Sequence, residues 1–294
     1  MALGQGDYRY EVVDRWAKLP EGWAFSLVSD AAIDSRGRIY AFTRGRHPVI
    51  VFDKEGRFIT SWGYGEFGLS PNLISQPHGI FIGPEDEVYL TDAYQHVVRR
   101  YSRLGELEHE WGARGVPGVT YYRREFNMPT GVALGPDGVI YVSDGYGNRC
   151  VHKYSKEGEH LLAWGEPGAG PGQFAVVHNI ACDNTGRVLV CDRENNRIQV
   201  FDPDGLFIEA WTEVSSPGDV WITDDSTVYV AEQEGYGHVS VWSPDGTRIS
   251  RFSGSPGGVL QAPHGICVDD EGSIYVAEIG GGDRGQRIQK FVRV

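Results

Sequence analysis

Three of the nine histidines occupy equivalent places in a repeated sequence pattern. His78, His178 and His264 lie in the segments QPHGI, VVHNI and APHGI, and each precedes by eleven residues a Tyr or Leu within an apolar segment. One histidine at such a place usually makes a structural hydrogen bond, but three at equivalent places rarely coincide by chance. Because imidazole is a common ligand of transition metals, the pattern predicts a three-nitrogen metal site with positions open for water or substrate.

Two arginines and two tyrosines follow the same repeated segment. Arg44 and Arg193 lie four residues after the aligned Tyr or Leu of the first and fourth copies of the repeated segment. In the second and third copies, Tyr94 and Tyr146 lie five residues after the aligned Tyr. A guanidinium holds a carboxylate or oxyanion in a fixed geometry, so both arginines are candidate substrate-binding residues. The alternative is a salt bridge to the acidic residues that precede this position. A phenol beside a metal ion and two arginines ionises more readily and can act as a base.

The pattern that contains these residues recurs six times. Each copy has an apolar segment, a turn with Asp or Gly, an apolar segment around the aligned residue, and usually an acid. The aligned residues are 49, 52, 48, 40 and 46 positions apart, a period typical of propeller blades. They are Tyr40, Tyr89, Tyr141, Leu189, Tyr229 and Tyr275. The histidines fall in the second, fourth and sixth copies, so in a six-fold ring they converge on the axis from three sides.

Alternating apolar residues and PDG-type turns predict four short strands in each copy and no long helix. The fold class is therefore all-β, a six-bladed β-propeller that forms one domain over residues 1–294. The last copy ends at RIQKFVRV, its third strand, while the N-terminal segment YRYEVVDRWAKLP is similar to the fourth strands elsewhere. We expect residues 8–17 to complete the last blade and close the ring.

Composition excludes several classes of function. Lys plus Arg is 27 and Asp plus Glu is 40, which gives a net charge of −13 and argues against nucleic-acid binding. The sequence has no apolar run long enough for a membrane span and no signal-peptide pattern at its start. The four cysteines, which form no CxxC pair, predict reduced thiols in a cytoplasmic protein. They are Cys150, Cys182, Cys191 and Cys267. We expect a monomer.

Specific segments resemble known families. The segment VCDRENNRIQVFDPDG resembles an NHL repeat. Over most of the chain, the segments QPHGI, MPTGVAL, IYVSDGYGNR, PGQFAVVHNIA, CDRENNRIQVF and APHGI are similar to the peptidyl-α-hydroxyglycine α-amidating lyase domain. The resemblance implies one zinc ion held by His78, His178 and His264. It also implies a catalytic Tyr146, with Arg193 and Arg44 steadying the oxyanion, and a small-molecule or peptide C-terminal substrate that splits into an amide and glyoxylate.

The sequence departs from the lyase pattern at three places. Gly265 follows the third metal histidine where the lyases have an Asp that holds a structural calcium. Only the backbone carbonyl of Ile80 is left of that ligand set, so the calcium site is doubtful. Gly147 and Val200 stand where the lyases have disulfide cysteines, in agreement with a reducing compartment.

Three functions remain open from the sequence. The first is a metal-dependent lyase acting on a carbinolamide of the α-hydroxyglycine type. The second is a metal-dependent hydrolase or hydratase that uses the same three histidines on an ester, lactone or small acid. The third is a non-enzymatic propeller that binds a partner on its rim, with a structural ion at the histidines.

Other residues receive secondary interpretations. The insert 115–127 and the stretch 64–76 connect consecutive blades and either line the substrate entrance or pack on the rim. Of the remaining histidines, only His47 and His238 lie near the loops of interest, and the others are interpreted as surface or packing residues. The tryptophans that end fourth strands in register are predicted to pack between blades. They are Trp62, Trp111, Trp164 and Trp211.

Overall fold

The computed structural model describes residues 2–68, 74–118, 125–253, 260–280 and 286–294. It is an all-β, six-bladed propeller whose blades are antiparallel sheets. Five blades have four strands each in chain order, and the sixth has five. The described residues contain one short 3₁₀ helix, Arg193–Asn195, and none of their helices is long and apolar enough to cross a membrane.

Each blade follows the chain from its innermost strand outward. The N-terminal strands are β1 (Leu3–Gln5) and β2 (Tyr8–Val13). Blade 1 has β3 (Val28–Ile33), β4 (Ile39–Thr43), β5 (Val49–Phe52) and β6 (Phe58–Trp62). Blade 2 has β7 (Pro77–Ile82), β8 (Val88–Asp92), β9 (Val97–Tyr101) and β10 (Leu107–Gly112). Blade 3 has β11 (Pro129–Leu134), β12 (Ile140–Asp144), β13 (Cys150–Tyr154) and β14 (His160–Trp164).

The second half of the ring repeats this order. A small parallel pair, β15 (Glu166–Pro167) and β16 (Gln173–Phe174), precedes blade 4. Blade 4 has β17 (Val177–Cys182), β18 (Val188–Asp192), β19 (Arg197–Phe201) and β20 (Phe207–Trp211). Blade 5 has β21 (Pro217–Ile222), β22 (Val228–Glu232), β23 (His238–Trp242) and β24 (Arg248–Ser253). Blade 6 has β25 (Pro263–Val268), β26 (Ile274–Ile279) and β27 (Gln286–Arg293).

Tight turns with an acidic first residue separate the strands. In the turn between β5 and β6, Oδ1 of Asp53 accepts hydrogen bonds from the backbone N–H groups of Glu55 and Arg57. Gly56 completes the turn at a φ of 78°, a backbone conformation that glycine adopts without steric cost. This geometry explains why the sequence repeats Asp and Gly at fixed intervals between apolar segments.

The first strands of the six blades form the inner ring around the central channel, and each contacts the first strands of both neighbours. Every one of them has a register shift near its start, in the same place relative to its partner strand. A bulge re-aims the side chains next to it. In blades 2, 4 and 6 the irregular segment contains the predicted metal histidine.

The N-terminal strand closes the ring as predicted. β2 pairs antiparallel with β27, with Val12 opposite Phe291, and β1 adds an outer fifth strand. The strand ends at Val13, so the expected segment 8–17 is only partly β-structure. Trp16 lies beyond it and packs against Phe52 of blade 1 and Tyr275 of blade 6. The propeller is therefore closed by the pairing of β2 with β27 and by the Trp16 side chain, which packs between the first and last blades.

The hydrophobic core consists of clusters between adjacent blades. The predicted packing of the tryptophans is confirmed: Trp164 contacts Phe201 of the next blade at 5.8 Å between ring centroids, and Trp211 stacks on Trp242. No disulfide joins the four cysteines, all of which lie in the described ranges. The apolar faces between blades thus hold the ring rigid and leave its axis to polar side chains.

Candidate metal centre and active site

His78, His178 and His264 converge on the axis of the propeller. Their ring centroids are 4.7, 4.9 and 4.5 Å apart, and one nitrogen from each lies within 4.8 Å of the other two. We call these three residues the channel triad. Strands β7, β17 and β25, two blades apart around the ring, each supply one histidine at the bulge. The geometry matches the three-sided arrangement expected from the sequence.

Backbone carbonyls fix the orientation of all three rings. Nδ1 lies 2.8 Å from the carbonyl oxygen of Thr130 in His78, 2.5 Å from that of Gly218 in His178, and 2.6 Å from that of Ser29 in His264. A carbonyl only accepts, so each Nδ1 carries the proton and donates it, which leaves a lone pair on each Nε2. Such an outer hydrogen bond is the usual support of a metal-binding histidine.

The three carbonyls come from the same position in the blades that follow. Ser29, Thr130 and Gly218 occupy, in blades 1, 3 and 5, the place that histidine occupies in blades 6, 2 and 4. Neighbouring blades therefore contribute alternately a ligand and the carbonyl that orients it. The alternation of histidine with other residues at this position is visible in the sequence. The role of the carbonyls is not, because a backbone acceptor does not depend on the residue type.

Burial keeps the triad neutral. The three side chains are at most 3% exposed. Burial lowers the pKa of His78 and His178 well below the usual range and lowers that of His264 to about 3, and the nearby Arg44 and Arg193 act in the same direction. Nε2 of His178 is buried without a hydrogen-bond partner among the described residues. Three neutral nitrogens with inward lone pairs, one of them unpartnered, fit a transition-metal ion such as zinc.

Tyr146 stands directly beside the triad. Its hydroxyl lies 3.1 Å from Nε2 of His78, and its ring packs edge-on against His78 and His178. Because Nδ1 of His78 holds that ring's proton, the hydroxyl donates to Nε2. The glycines that flank Tyr146 in the sequence predict an exposed side chain, whereas the structure has it half-buried against the histidines.

The two glycines around Tyr146 allow close backbone approach. A Cβ on Gly145 would lie 1.6 Å from the carbonyl oxygen of Val177, the residue before His178. A Cβ on Gly147 would lie 2.2 Å from the side chain of Asn127. These glycines therefore bring the loop of Tyr146 onto blade 4, rather than leaving the tyrosine exposed.

Arg193 approaches Tyr146 from blade 4. Its 3₁₀ turn at Arg193–Asn195 begins where β18 ends, and its guanidinium carbon lies 5.6 Å from the centre of the Tyr146 ring. Nη1 is 3.5 Å from the Tyr146 hydroxyl and 3.4 Å from Oε1 of Gln233, and Nη2 pairs with Glu194 at 2.8 Å. Gln233 lies in blade 5 at the position equivalent to Arg193, four residues after the aligned Tyr229, and sequence analysis did not single it out. Its amide helps to hold the guanidinium at the channel.

Arg44 lies across the channel from Arg193. Nε donates to the carbonyl of Pro77, the residue before His78. Burial lowers the pKa of Arg44. Tyr146, Tyr94 and Asp92 act in the opposite direction, because they lie near its guanidinium. Neither Arg44 nor Arg193 makes a salt bridge to the acidic residues that precede the arginine position in each blade. Such a salt bridge was the alternative interpretation from the sequence. Instead, acids such as Asp192 and Glu232 accept backbone N–H groups of the interblade connections and pair with other arginines.

The next layer of the channel contains Gly265 and a pair of buried aspartates. A Cβ at Gly265 would lie 2.2 Å from Oδ1 of Asp30, so a side chain has no room there. Asp30 faces Asp219, and burial raises the pKa of both carboxyl groups. Backbone N–H groups of Ala31, Ile80, Val220 and Ile266 bind all four carboxyl oxygens. Gly265 therefore offers no side-chain ligand at the place where the resemblance implies a calcium-binding Asp.

The remaining predicted residues lie outside the triad. Tyr94 is 47% exposed, and His47 stacks on Trp23 with 3.3 Å between ring centroids. His238 begins β23 at the edge of the channel face. The insert 115–127 and the stretch 64–76 fall partly outside the described residues, so the prediction that they line the entrance stays a prediction. His152, interpreted from the sequence as surface or packing, is fully buried beside Asp144.

The centre combines three kinds of group at one end of the channel. Three neutral nitrogens leave the full charge of a bound dication to act on a substrate. Two guanidiniums are available to bind a carboxylate, and one phenol lies within hydrogen-bond distance of a histidine ligand atom. This set suits chemistry on a small acid with an oxygen near its carboxylate.

Comparison with known proteins supports this picture of the fold. The NHL repeat model matches residues 126–154 and 174–201. Human NHL repeat-containing protein 3 is 32% identical over 305 residues, which cover 97% of this chain and 84% of that protein. Drosophila melanogaster peptidyl-alpha-hydroxyglycine alpha-amidating lyase 1 is 29% identical over 264 residues, with 78% of this chain and 47% of that protein covered. Mouse peptidyl-glycine alpha-amidating monooxygenase is 28% identical, but the chain spans only 31% of it.

Solved structures show the same architecture at low sequence identity. A streptogramin B lyase superposes with a TM-score of 0.64 at 15% identity over 96% of both chains. Virginiamycin B lyase from Staphylococcus aureus gives 0.62 at 15% identity, over 92% of this chain and 96% of that one. These similarities establish the propeller alone. On the extent of its identity to the human protein, the chain belongs to the family of NHL repeat-containing proteins.

Proposed function

We propose that this protein is a metal-dependent lyase that cleaves an N-acyl-α-hydroxyglycine or a related carbinolamide into an amide and glyoxylate. The observation that carries the proposal is the Tyr146 hydroxyl, 3.1 Å from Nε2 of His78 and flanked by two guanidiniums. The Drosophila melanogaster relative named as a peptidyl-alpha-hydroxyglycine alpha-amidating lyase, which matches 78% of this chain, supports the same reaction class.

His78, His178 and His264 would hold one metal ion through Nε2. The ion, for which zinc suits three imidazoles, would supply Lewis acidity toward the substrate hydroxyl and carboxylate. The chain itself orients the ligands through the carbonyls of Ser29, Thr130 and Gly218. The contacts between the first strands of neighbouring blades hold these residues in place.

Tyr146 is the proposed proton acceptor. The phenol proton of Tyr146 first leaves to solvent, and the freed oxygen then takes the hydroxyl proton of the carbinolamide. As this proton moves, the carbon–oxygen bond becomes a carbonyl and the carbon–nitrogen bond breaks. The electron pair of that bond passes to the amide nitrogen, which takes the same proton from Tyr146, so the products are one amide and one glyoxylate. A positioned acid–base group of this kind contributes about 10²–10⁴-fold to the rate.

Arg44 and Arg193 are the proposed binders of the substrate carboxylate and of the negative charge on the departing group. They lie on opposite sides of the triad, each held by a neighbour: the Pro77 carbonyl for Arg44, and Gln233 and Glu194 for Arg193. A substrate enters from the same face, as a small molecule or as the C-terminus of a peptide. We expect the protein to act as a monomer, without nucleic acid or membrane.

The test is release of glyoxylate from an N-acyl-α-hydroxyglycine, beside hydrolysis of an ester and a lactone. We expect glyoxylate and amide in equal amounts from wild type, and none from His178→Ala. Hydrolysis of the ester or lactone without glyoxylate release would replace the lyase by a hydrolase. Turnover of none of the three by metal-loaded protein would leave a non-enzymatic propeller that binds a partner.

A further inference from the structure

A second group of metal-ligating side chains lies in blade 3, outside the channel triad. We propose that Asp144, Cys150 and His152 form a structural site for a transition-metal ion such as zinc. We call these residues the blade 3 cluster. All three are buried, and their donor atoms lie within 4.8 Å of one another. The proposal does not depend on the lyase function.

The sheet brings the three side chains to one place. β12 and β13 are antiparallel, and their register pairs Asp144 directly with Cys150. His152 follows Cys150 by two residues in β13, so both side chains point to the same face of the sheet. The cluster is therefore held by backbone pairing on two strands, which is the rigid support that a structural metal site requires.

The distances between donor atoms fit a tetrahedral ion. Sγ of Cys150 is 3.5 Å from Nε2 of His152, and that Nε2 is 3.1 Å from Oδ2 of Asp144. Zinc bonds of about 2.3 Å to sulfur and about 2.0–2.1 Å to nitrogen or oxygen give tetrahedral edges of about 3.3–3.6 Å. These two separations lie within about 0.2 Å of those edges, and the donor atoms of Cys150 and Asp144 lie within 4.8 Å of each other.

The charge of the cluster also fits a buried dication. One thiolate and one carboxylate neutralise two positive charges, so the loaded site would be electrically neutral inside the sheet. The ligand set of thiolate, imidazole and carboxylate suits zinc or cobalt rather than calcium or magnesium, which prefer oxygen donors only. On binding, Cys150 releases its thiol proton to solvent, and the His152 proton resides on Nδ1.

Neighbouring groups supply the outer hydrogen bonds. Nδ1 of His152 lies 3.3 Å from Nε2 of His160, an acceptor for the proton that metal binding places on Nδ1. Nδ2 of Asn148 donates to Oδ2 of Asp144 at 2.6 Å, and the backbone N–H of Asn127 donates to the same carboxylate. Oδ1 of Asn148 is buried without a partner among the described residues.

The partner of the corresponding acid differs between blades. In blade 4, Asp192 pairs with Arg197, in blade 5 Glu232 pairs with Arg251, and in blade 6 Glu278 pairs with Arg287. In blade 2, Asp92 accepts hydrogen bonds from Ser75 and from backbone N–H groups instead. In blade 3 the corresponding acid meets a histidine and a thiol, and both of these side chains can bind a metal.

The experiment is a Co²⁺ titration of metal-free protein without a histidine tag. We expect two equivalents of Co²⁺ per chain and a thiolate-to-cobalt charge-transfer band in the near ultraviolet, which three imidazoles alone do not give. Cys150→Ser should lose the band and one equivalent. His178→Ala should keep the band and lose the other equivalent. Cys182→Ser is the matched control, because that cysteine has neither a histidine nor a carboxylate ligand set around it, and it should keep both.

The outcome in wild type decides the question even if Cys150→Ser fails to fold. His152→Gln is the second variant, which should also abolish the band while leaving the thiol in place. Absence of any charge-transfer band at saturating Co²⁺, or a band that persists in folded Cys150→Ser, would overturn the proposal. The cluster would then be a hydrogen-bonded group that anchors its acid.

Discussion

The channel triad and the blade 3 cluster are both buried and both contain histidine, but they differ in charge and in connection to the entrance. The triad has three neutral nitrogens supplied by three blades, with Tyr146 and Arg193 beside it. The blade 3 cluster takes all its ligands from two adjacent strands and contains two groups that can be anionic. A neutral ligand set leaves the metal's charge for a substrate, whereas an anionic set consumes it.

The difference follows from the position of each group in the fold. The inner ring has one register shift per blade near the start of its first strand, which turns side chains toward an axis shared by all blades. Residues there can act together only across blades. Asp144 and Cys150, in contrast, are cross-strand partners within one sheet, and their neighbourhood is closed by that sheet and its neighbours. We therefore expect the channel triad to act in the reaction and the blade 3 cluster to act in stability.

Removal of the triad has the largest expected effect. His178→Ala deletes a ligand and leaves the Gly218 carbonyl without its donor, so lyase turnover should fall by about 10³-fold or more. Cys150→Ser should retain measurable glyoxylate release, because that side chain touches no reacting group. Steady-state rates of the two variants, beside Cys182→Ser, measure the contrast. Equal losses in His178→Ala and Cys150→Ser would erase the proposed division between the two sites.

Tyr146→Phe has the next largest effect and sharpens the assignment within the channel. The substitution removes the hydroxyl beside Nε2 of His78 but keeps the ring that packs on the histidines. We expect kcat to fall by about 10²–10⁴-fold, with KM changed much less. Metal content, measured by elemental mass spectrometry, should equal that of wild type. A normal kcat would exclude Tyr146 as the proton acceptor, and lost metal would make it a support of the triad.

Metal removal should lower stability at each site that holds an ion. A ligand present at 100 times its Kd stabilises the folded state by about 2.7 kcal/mol, so a chelator should lower the Tm of wild type by several degrees. His178→Ala should keep the part of this effect that comes from the intact blade 3 cluster, and Cys150→Ser should lose that part. Thermal unfolding with and without chelator measures both parts, and the absence of a chelator effect in His178→Ala would contradict a metal site in blade 3.

Much of this architecture was predictable because it is encoded once and repeated. The column of aligned residues predicted the blades, the closure by the N-terminal strand, and the convergence of His78, His178 and His264. In the other three copies the histidine position holds Ser29, Thr130 and Gly218. Their backbone carbonyls orient the histidines of adjacent blades, and a residue type does not reveal a role of the backbone. Gln233 was also in the arginine column, and its contact with Arg193 depends on how two blades meet.

The blade 3 cluster was missed for a different reason. Cys150 and His152 are separated by one residue in a strand, a spacing that puts both side chains on one face. The Cys–x–His spacing was visible in the sequence. It occurs in blade 3 and is not part of the repeated pattern, so comparison of the repeats did not reveal it. The exposure expected for Tyr146 failed because the glycines beside it admit the Val177 carbonyl and the Asn127 side chain.

The two layers of the channel should respond to pH in opposite directions. Burial lowers the pKa of the triad histidines, so the folded state gains stability as pH rises through about 6.5, where the unfolded histidines lose their protons. Burial raises the pKa of Asp219 to about 7, above its unfolded value of 3.8. The Asp30–Asp219 pair therefore binds an extra proton in the folded state, and its contribution to stability is lost as pH rises from about 4 through 7.

Asp219→Asn removes one of the two titrating groups of the carboxyl layer, and its amide can still hydrogen-bond to Asp30. Relative to wild type, the variant should gain stability with rising pH at about 1.4 kcal/mol per pH unit between pH 5 and 7, which corresponds to one proton on Asp219. Urea unfolding of metal-free protein at several pH values measures this slope, and Asp137→Asn in an exposed turn serves as the control with no slope change. An unchanged slope in Asp219→Asn would mean that Asp219 binds no extra proton in the folded state. Its carboxylate would then be a buried negative charge beneath the triad and attract a cation, as the anionic ligands of the blade 3 cluster do.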